Sequence, residues 1–175
     1  MDWWRISKYD PAFRDENYAY QRDEWTSATD IGRTFEGEVL DAEKFLATET
    51  AHVEAVRAFM ADAGVATLTV TSFEPPSEDD YAYLEKLPLP DSRELANQVR
   101  QVREGDELSG GQLDELLRLL LRRVFWCRLV HSRTFIVDVG EYLYVSIGTV
   151  ADSTRAIART RELGLFVEET RDPST

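Results

Sequence analysis

The 175-residue chain is short of four things: cysteine, histidine, basic side chains and long apolar runs. Its one cysteine, Cys127, permits no internal disulfide and fits a reducing compartment. Its two histidines, His52 and His131, are the only imidazoles that could fold onto Cys127 and activate it as a nucleophile. Twenty basic residues face 33 acidic ones, for a net charge of −13. A phosphate backbone would be repelled, so direct nucleic-acid binding is excluded as the main activity. Docking on an anionic membrane is disfavoured for the same reason. No apolar run reaches the length of a membrane-spanning helix. The opening MDWWRISKYDP has no apolar signal core, so a cytoplasmic location is expected.

Signatures of chemistry are missing too. The sequence has no G-x-S-x-G, no phosphate-binding loop, no G-x-G-x-x-G and no H-E-x-x-H. Asp10, Asp15 and Asn17 do not fit a calcium loop, whose glycine must fall at the sixth position. Cys127 and His131 share a face of one expected strand but stand roughly 13 Å apart along it, too far for one zinc ion. No catalytic residue, metal or cofactor is assigned, although scattered carboxylates leave a magnesium site open.

What is present suffices for a packed core: 43% of residues are apolar and 11% aromatic. The length suits a single domain over 1–175. Charge is unevenly placed: residues 1–90 carry 19 acids against 8 bases, and residues 91–175 carry 14 against 12. The imbalance serves solubility, or it steers a basic partner or a cation toward the first half.

Periodicity places the elements. Residues 3–7 read as a strand. Residues 9–36 show no sustained period, but Tyr9, Phe13, Tyr18, Tyr20 and Trp25 argue for an ordered loop pinned by its rings. Residues 41–63 form the clearest helix, capped by Asp41 and ended by Gly64, with Phe45, Val53, Val56, Phe59, Met60 and Ala63 on one stripe. Residues 65–73 read as a strand. Residues 74–92 hold four of the six prolines and read as an internal loop. Residues 93–104 suit a helix or a short strand.

Ser109 and Gln112 match a capping box that opens a helix burying Leu113, Leu116, Leu117, Leu120 and Val124. Strands at 124–131, 134–139 and 142–148 follow, with Gly140-Glu141 suited to a two-residue type II′ turn. Asp152 caps a helix at 153–163, Gly164 ends it, and 165–169 returns as a strand before a frayed tail at 170–175. The expected class is α+β: a mainly antiparallel sheet containing a C-terminal three-stranded meander, with helices 41–63 and 109–123 packed on one face.

Three features stand out as candidate sites. Glu49 falls in the middle of the apolar stripe of helix 41–63, with His52 on the same face. A carboxylate there must be paired, protonated or aimed into a cavity. It works with His52 as an acid/base or ligand-gripping pair, or it accepts from a structural base such as Arg5, Arg14 or Arg33. A pocket between the 9–36 loop and this helix would use Glu49, His52, Arg5 and Trp25. In the meander, two tight turns would set Val139 opposite Tyr142 and Arg128 opposite Val137. Phe125, Cys127, Leu129, Ile136, Leu143, Val145 and Ile147 then form a core face. Trp126, Arg128, Val130, Phe135, Val137, Tyr142 and Tyr144 form the other, and tryptophan, tyrosine and arginine are the types enriched in interface hot spots. Finally, the acidic run Glu78, Asp79 and Asp80 could face a basic partner.

The opening block, Trp3 to Pro11 with Asp23-Glu24-Trp25-Thr26-Ser27 and Asp30-Ile31-Gly32, resembles a recurrent family of small bacterial proteins of uncharacterised function. The stretch Phe135 to Gly148 is similar to that family's meander. The resemblance implies one folding unit in which the early loop belongs to the body, and it carries no activity or site residue across.

The features point first to an acidic binding protein, of the immunity or antitoxin type, that neutralises a basic toxin such as a nuclease. The alternatives are an enzyme or small-ligand binder using the loop–helix pocket, and a homodimeric regulatory module associating through the meander.

Overall fold

The computed structural model describes residues 1–173. In chain order its elements are β1 (Asp2–Ser7), β2 (Thr34–Phe35), β3 (Glu38–Val39), α1 (Ala42–Asp62), β4 (Leu68–Glu74), α2 (Glu78–Lys86), α3 (Ser92–Val99), β5 (Glu107–Leu108), α4 (Gly110–Leu121), β6 (Trp126–His131), β7 (Phe135–Val139), β8 (Val145–Thr149), α5 (Thr154–Glu162) and β9 (Phe166–Thr170). Seven strands make one sheet in the order β5-β4-β6-β7-β8-β1-β9. Every neighbouring pair is antiparallel. The fold is α+β. Among the described residues no helix is long and apolar enough to cross a membrane.

Alternation along the strands divides the sheet into two unlike faces. Ile6, Leu68, Val70, Cys127, Leu129, Phe135, Val137, Val145 and Ile147 point into the core, each at most 1% exposed. The helices cover this face. Asp41 caps α1 by accepting from the Lys44 amide, and Gly64 closes it at φ 66°. Phe45, Val53, Val56, Phe59 and Met60 are the buried stripe of α1. In α4, Leu119 and Leu121 are buried as well as the expected leucines, because α4 is wedged between α1 and α3.

Several sequence expectations need correction. The Pro-rich stretch 74–92 is not a loop throughout: Glu78–Lys86 is α2, started by a reciprocal Ser77–Asp80 capping box. The prolines lie outside its helical turns, and Tyr81 and Leu84 give it a buried face. The ambiguous stretch after it forms the helix α3. Ser109 makes no side-chain cap at α4. The tail is not simply frayed: Thr170 belongs to β9 and Asp172 pairs with Arg128 at 3.2 Å, while 174–175 lie outside the described residues.

The meander register also differs. Three residues separate His131 from Phe135, so Arg128 faces Asp138 and Leu129 faces Val137. A slip of one residue exchanges the faces of a strand, which puts Phe135 and Val137 in the core and turns Ile136 outward. No type II′ turn joins β7 to β8. Val139 pairs with Val145, and Tyr142 and Leu143 between them take φ values of 58° and 60°. The longer loop lets Leu143 bury itself at 2% exposure while Tyr142 projects into solvent at 47%.

Candidate functional site

A β-bulge positions the most distinctive cleft. The β4–β6 register shifts between Thr71 and Glu74. Ser72 takes φ 52°, and its amide and that of Phe73 both donate to the Glu104 carboxylate, at 3.1 and 2.7 Å. Bulges of this kind re-aim the chain. Here the bulge sends Glu74-Pro75-Pro76 outward beside the start of β6. A cleft of 460 Å³ opens between that turn, the end of α4 and the β7–β8 loop. Trp126, Phe125, Glu74, Asp80, Glu141 and Arg123 line it. Arg123 pairs with Glu141 at 2.7 Å. Glu74 and Asp80 line the same cleft, and among the described residues neither is ion-paired. Asp80 Oδ2 accepts from the Ser77 hydroxyl and amide, at 2.6 and 2.7 Å, and these bonds hold its carboxyl below the usual range.

Of the acidic run, Asp80 reaches this cleft, while Glu78 and Asp79 stand exposed on the first turn of α2, where the helix dipole favours them. Glu78 is ion-paired with Arg100 at 3.4 Å, and Arg100 stacks on the Tyr81 ring at 3.7 Å. Tyr142 sits in the neighbouring loop.

The outward sheet face carries Arg128, Asp138, Ser146, Arg5 and Glu168 in one row across five strands. Arg128 binds Asp138 and Asp172, each at 3.2 Å, and the Trp126 indole points its N–H at Asp138 from 3.4 Å. Arg5 and Arg14 share Glu168, at 3.2 and 2.5 Å. Those guanidinium groups hold the Glu168 carboxyl below the usual range against the opposing effect of burial. Tyr144 belongs to this face, with Arg5 over its ring at 5.4 Å and the Tyr9 ring 5.4 Å away.

The structure does not bring Glu49, His52, Arg5 and Trp25 together in a pocket. Glu49 is 1% exposed and fully engaged: Arg122 donates to it at 2.6 and 2.9 Å, and Arg118 at 2.8 Å. Its bases come from α4 and not from the 5–33 loop. Arg122 also forks onto Asp91, tying α1, α3 and α4 into one ionic network. Arg118 in the last turn of α4 and Arg122 at its C-cap lie one helical turn apart, and that spacing was the available signal for a pair of bases on one face. His52 forms no pair with Glu49. Its Nδ1 meets the Thr48 carbonyl oxygen at 2.8 Å, and burial pushes its pKa down to about 4, so it is neutral.

Trp25 serves a different cluster, which the sequence reading missed. Lys8 Nζ lies 4.2 Å from the centroids of both the Tyr9 and Trp25 rings and 2.6 Å from Glu24. Tyr20 donates to the same carboxylate at 2.9 Å. Burial lowers the Lys8 pKa and raises that of Tyr20 to about 12. The aromatic loop is thus pinned by its rings and by Lys8. A 320 Å³ cleft does lie between this loop and α1, but Trp25 is the only expected pocket residue on its wall. Cys127 is fully buried, and its thiol is raised to about 12, which removes it as a nucleophile.

No family model, curated protein or solved structure matches the chain.

Proposed function

We propose that the protein binds a basic protein partner, and that the Trp126 cleft receives a guanidinium or ammonium side chain of that partner. The supporting observation is the cleft itself: Glu74, Asp80 and Glu141 line it with Trp126 and Phe125, and among the described residues Arg123 is the one cation on its wall. A planar guanidinium stacks on an indole and forks onto carboxylates at once, which lysine does less well. The excess of acid in residues 1–90 steers such a partner from a distance. Exposed Glu78, Asp79 and Tyr142 extend the contact beyond the cleft. An immunity-type inhibitor in the cytoplasm, blocking the phosphate site of a nuclease toxin, has this design. A surface that imitates phosphate in charge competes for the toxin's own basic site.

Affinity capture from the source cells, followed by calorimetry on the captured protein, tests the reading. The expected partner is strongly basic, and its binding weakens as salt rises and is lost in Trp126→Ala combined with Glu74→Gln and Asp80→Asn. An acidic or neutral partner, or one that binds this variant as tightly as the wild type, contradicts it.

A further inference from the structure

The outward face of the sheet has a charge order that fits its own rotated copy. Reading the central row from β6 to β9 gives Arg128, Asp138, Ser146, Arg5 and Glu168, one residue per strand. The signs run plus, minus, neutral, plus, minus. Turned end for end about Ser146, the row places Arg128 opposite Glu168 and Asp138 opposite Arg5. The flanking charges obey the same rule: Asp172 joins the Arg128 end and Arg14 joins the Glu168 end. The adjacent row is apolar, with Val130 and Ile136 beside Gly148, over which the Trp3 ring lies. The row is half-buried: the side chains of Arg5, Glu168, Arg128 and Asp138 are 34%, 22%, 20% and 12% exposed, with Arg14 and Asp172 lying over its two ends.

We propose that a second copy of this chain docks on this face, about a two-fold axis that runs parallel to β8 and passes over Ser146, midway between the two sheets. An isologous interface needs a patch complementary to itself, and an antisymmetric charge row supplies that. Stacking two sheets about 10 Å apart brings the rows within reach of each other. Five strands spaced about 4.8 Å, each about five residues long, offer a plan area near 300–400 Å² per copy. That is below the roughly 800 Å² per partner of a standard interface, so the dimer forms at micromolar or higher concentration. This inference stands apart from the Trp126 cleft and survives its failure.

Ser146 provides the test, because a residue on the axis meets itself. Analytical ultracentrifugation of the wild type from about 5 to 500 μM should show a monomer–dimer equilibrium. Ser146→Lys and Ser146→Glu should each raise the dissociation constant at least about tenfold, since each sets like charges face to face. An equimolar mixture of the two should restore the dimer. Ser146→Ala should leave it unchanged. Independently, Ser146→Cys treated with a short bis-maleimide should give a covalent dimer, whereas Glu43→Cys on the exposed start of α1 should not. The native Cys127 is fully buried and does not confuse the result. A monomer throughout the concentration range, charge variants that dimerise like the wild type, or a mixture that fails to recover the dimer overturns the proposal.

Discussion

Glu49 of α1 and Arg122 of α4 face each other through two hydrogen bonds, of 2.6 and 2.9 Å, with both side chains closed to solvent. The pair closes because neither charge is left half-satisfied. Arg118 donates a third bond to Glu49, at Oε2, and Asp91 takes the outer edge of Arg122. Removing one partner strands a buried charge and costs about 3–5 kcal/mol, whereas replacing both by apolar groups is far milder. Glu49→Leu alone should therefore lower the urea midpoint more than Glu49→Leu with Arg122→Leu. Hydrogen exchange in Glu49→Gln should rise in α1, α3 and α4 and stay unchanged in residues 9–36. A loop that loosens while these helices stay protected would contradict the network.

His52 makes stability depend on pH in a narrow window. Burial disfavours its imidazolium, so the unfolded chain takes up the proton before the folded one does. The contribution is complete above pH 6.5 and falls as pH drops toward about 4. The slope amounts to about 1.4 kcal/mol per unit once the unfolded histidine is protonated. Denaturant melts between pH 7 and 5 should show this loss in the wild type, and His52→Leu should remove it. An unchanged slope in His52→Leu would assign the dependence to other groups.

How much of this was legible in the sequence follows from the range of each interaction. Helix α1, its Asp41 cap and its Gly64 stop are local, and so were the strand positions of the meander. Its register was not. One extra residue in the 131–135 turn reverses the facing of Phe135, Ile136 and Val137, and nothing local distinguishes the two turns. Helix α2 was hidden by the prolines on either side of it, although Ser77 and Asp80 form a capping box. The need for Glu49 to be paired was readable from its apolar surroundings, but its partner lies 73 residues away. Trp126 and Asp80 could be singled out separately. Their meeting in one cleft depends on the Thr71–Glu74 bulge, which no periodicity reveals.

The β7–β8 loop stores backbone strain. Tyr142 and Leu143 both lie in the left-handed region, the arrangement of a type I′ turn, where asparagine and glycine are preferred. Leu143 is held there by burial, whereas Tyr142 is largely exposed. Tyr142→Asn should raise the melting temperature by a few degrees, corresponding to roughly 0.5–1 kcal/mol. If the loop also meets the partner, the same change should weaken binding. A lowered melting temperature would show that the tyrosine ring contributes more to the fold than its backbone geometry costs.

Gly148 gives the Trp3 ring its seat. A Cβ at that position would stand 2.8 Å from the indole, too close for contact. Gly148→Ala should displace the ring and cost about 1–3 kcal/mol. Combining it with Trp3→Ala should cost less than the two changes added separately, because the clash is then gone. Strict additivity in this double-mutant cycle would contradict the contact.

The central claim is that an acidic, aromatic cleft draws in a basic partner, and stopped-flow association kinetics test it most directly. The captured partner is mixed with the wild type and with Glu74→Gln/Asp80→Asn at about 20 and 150 mM salt. The account predicts a wild-type association rate that falls at least about tenfold between the two salts, and a variant that associates more slowly with a shallower salt dependence. Equal rates for the two proteins at both salt concentrations would contradict it.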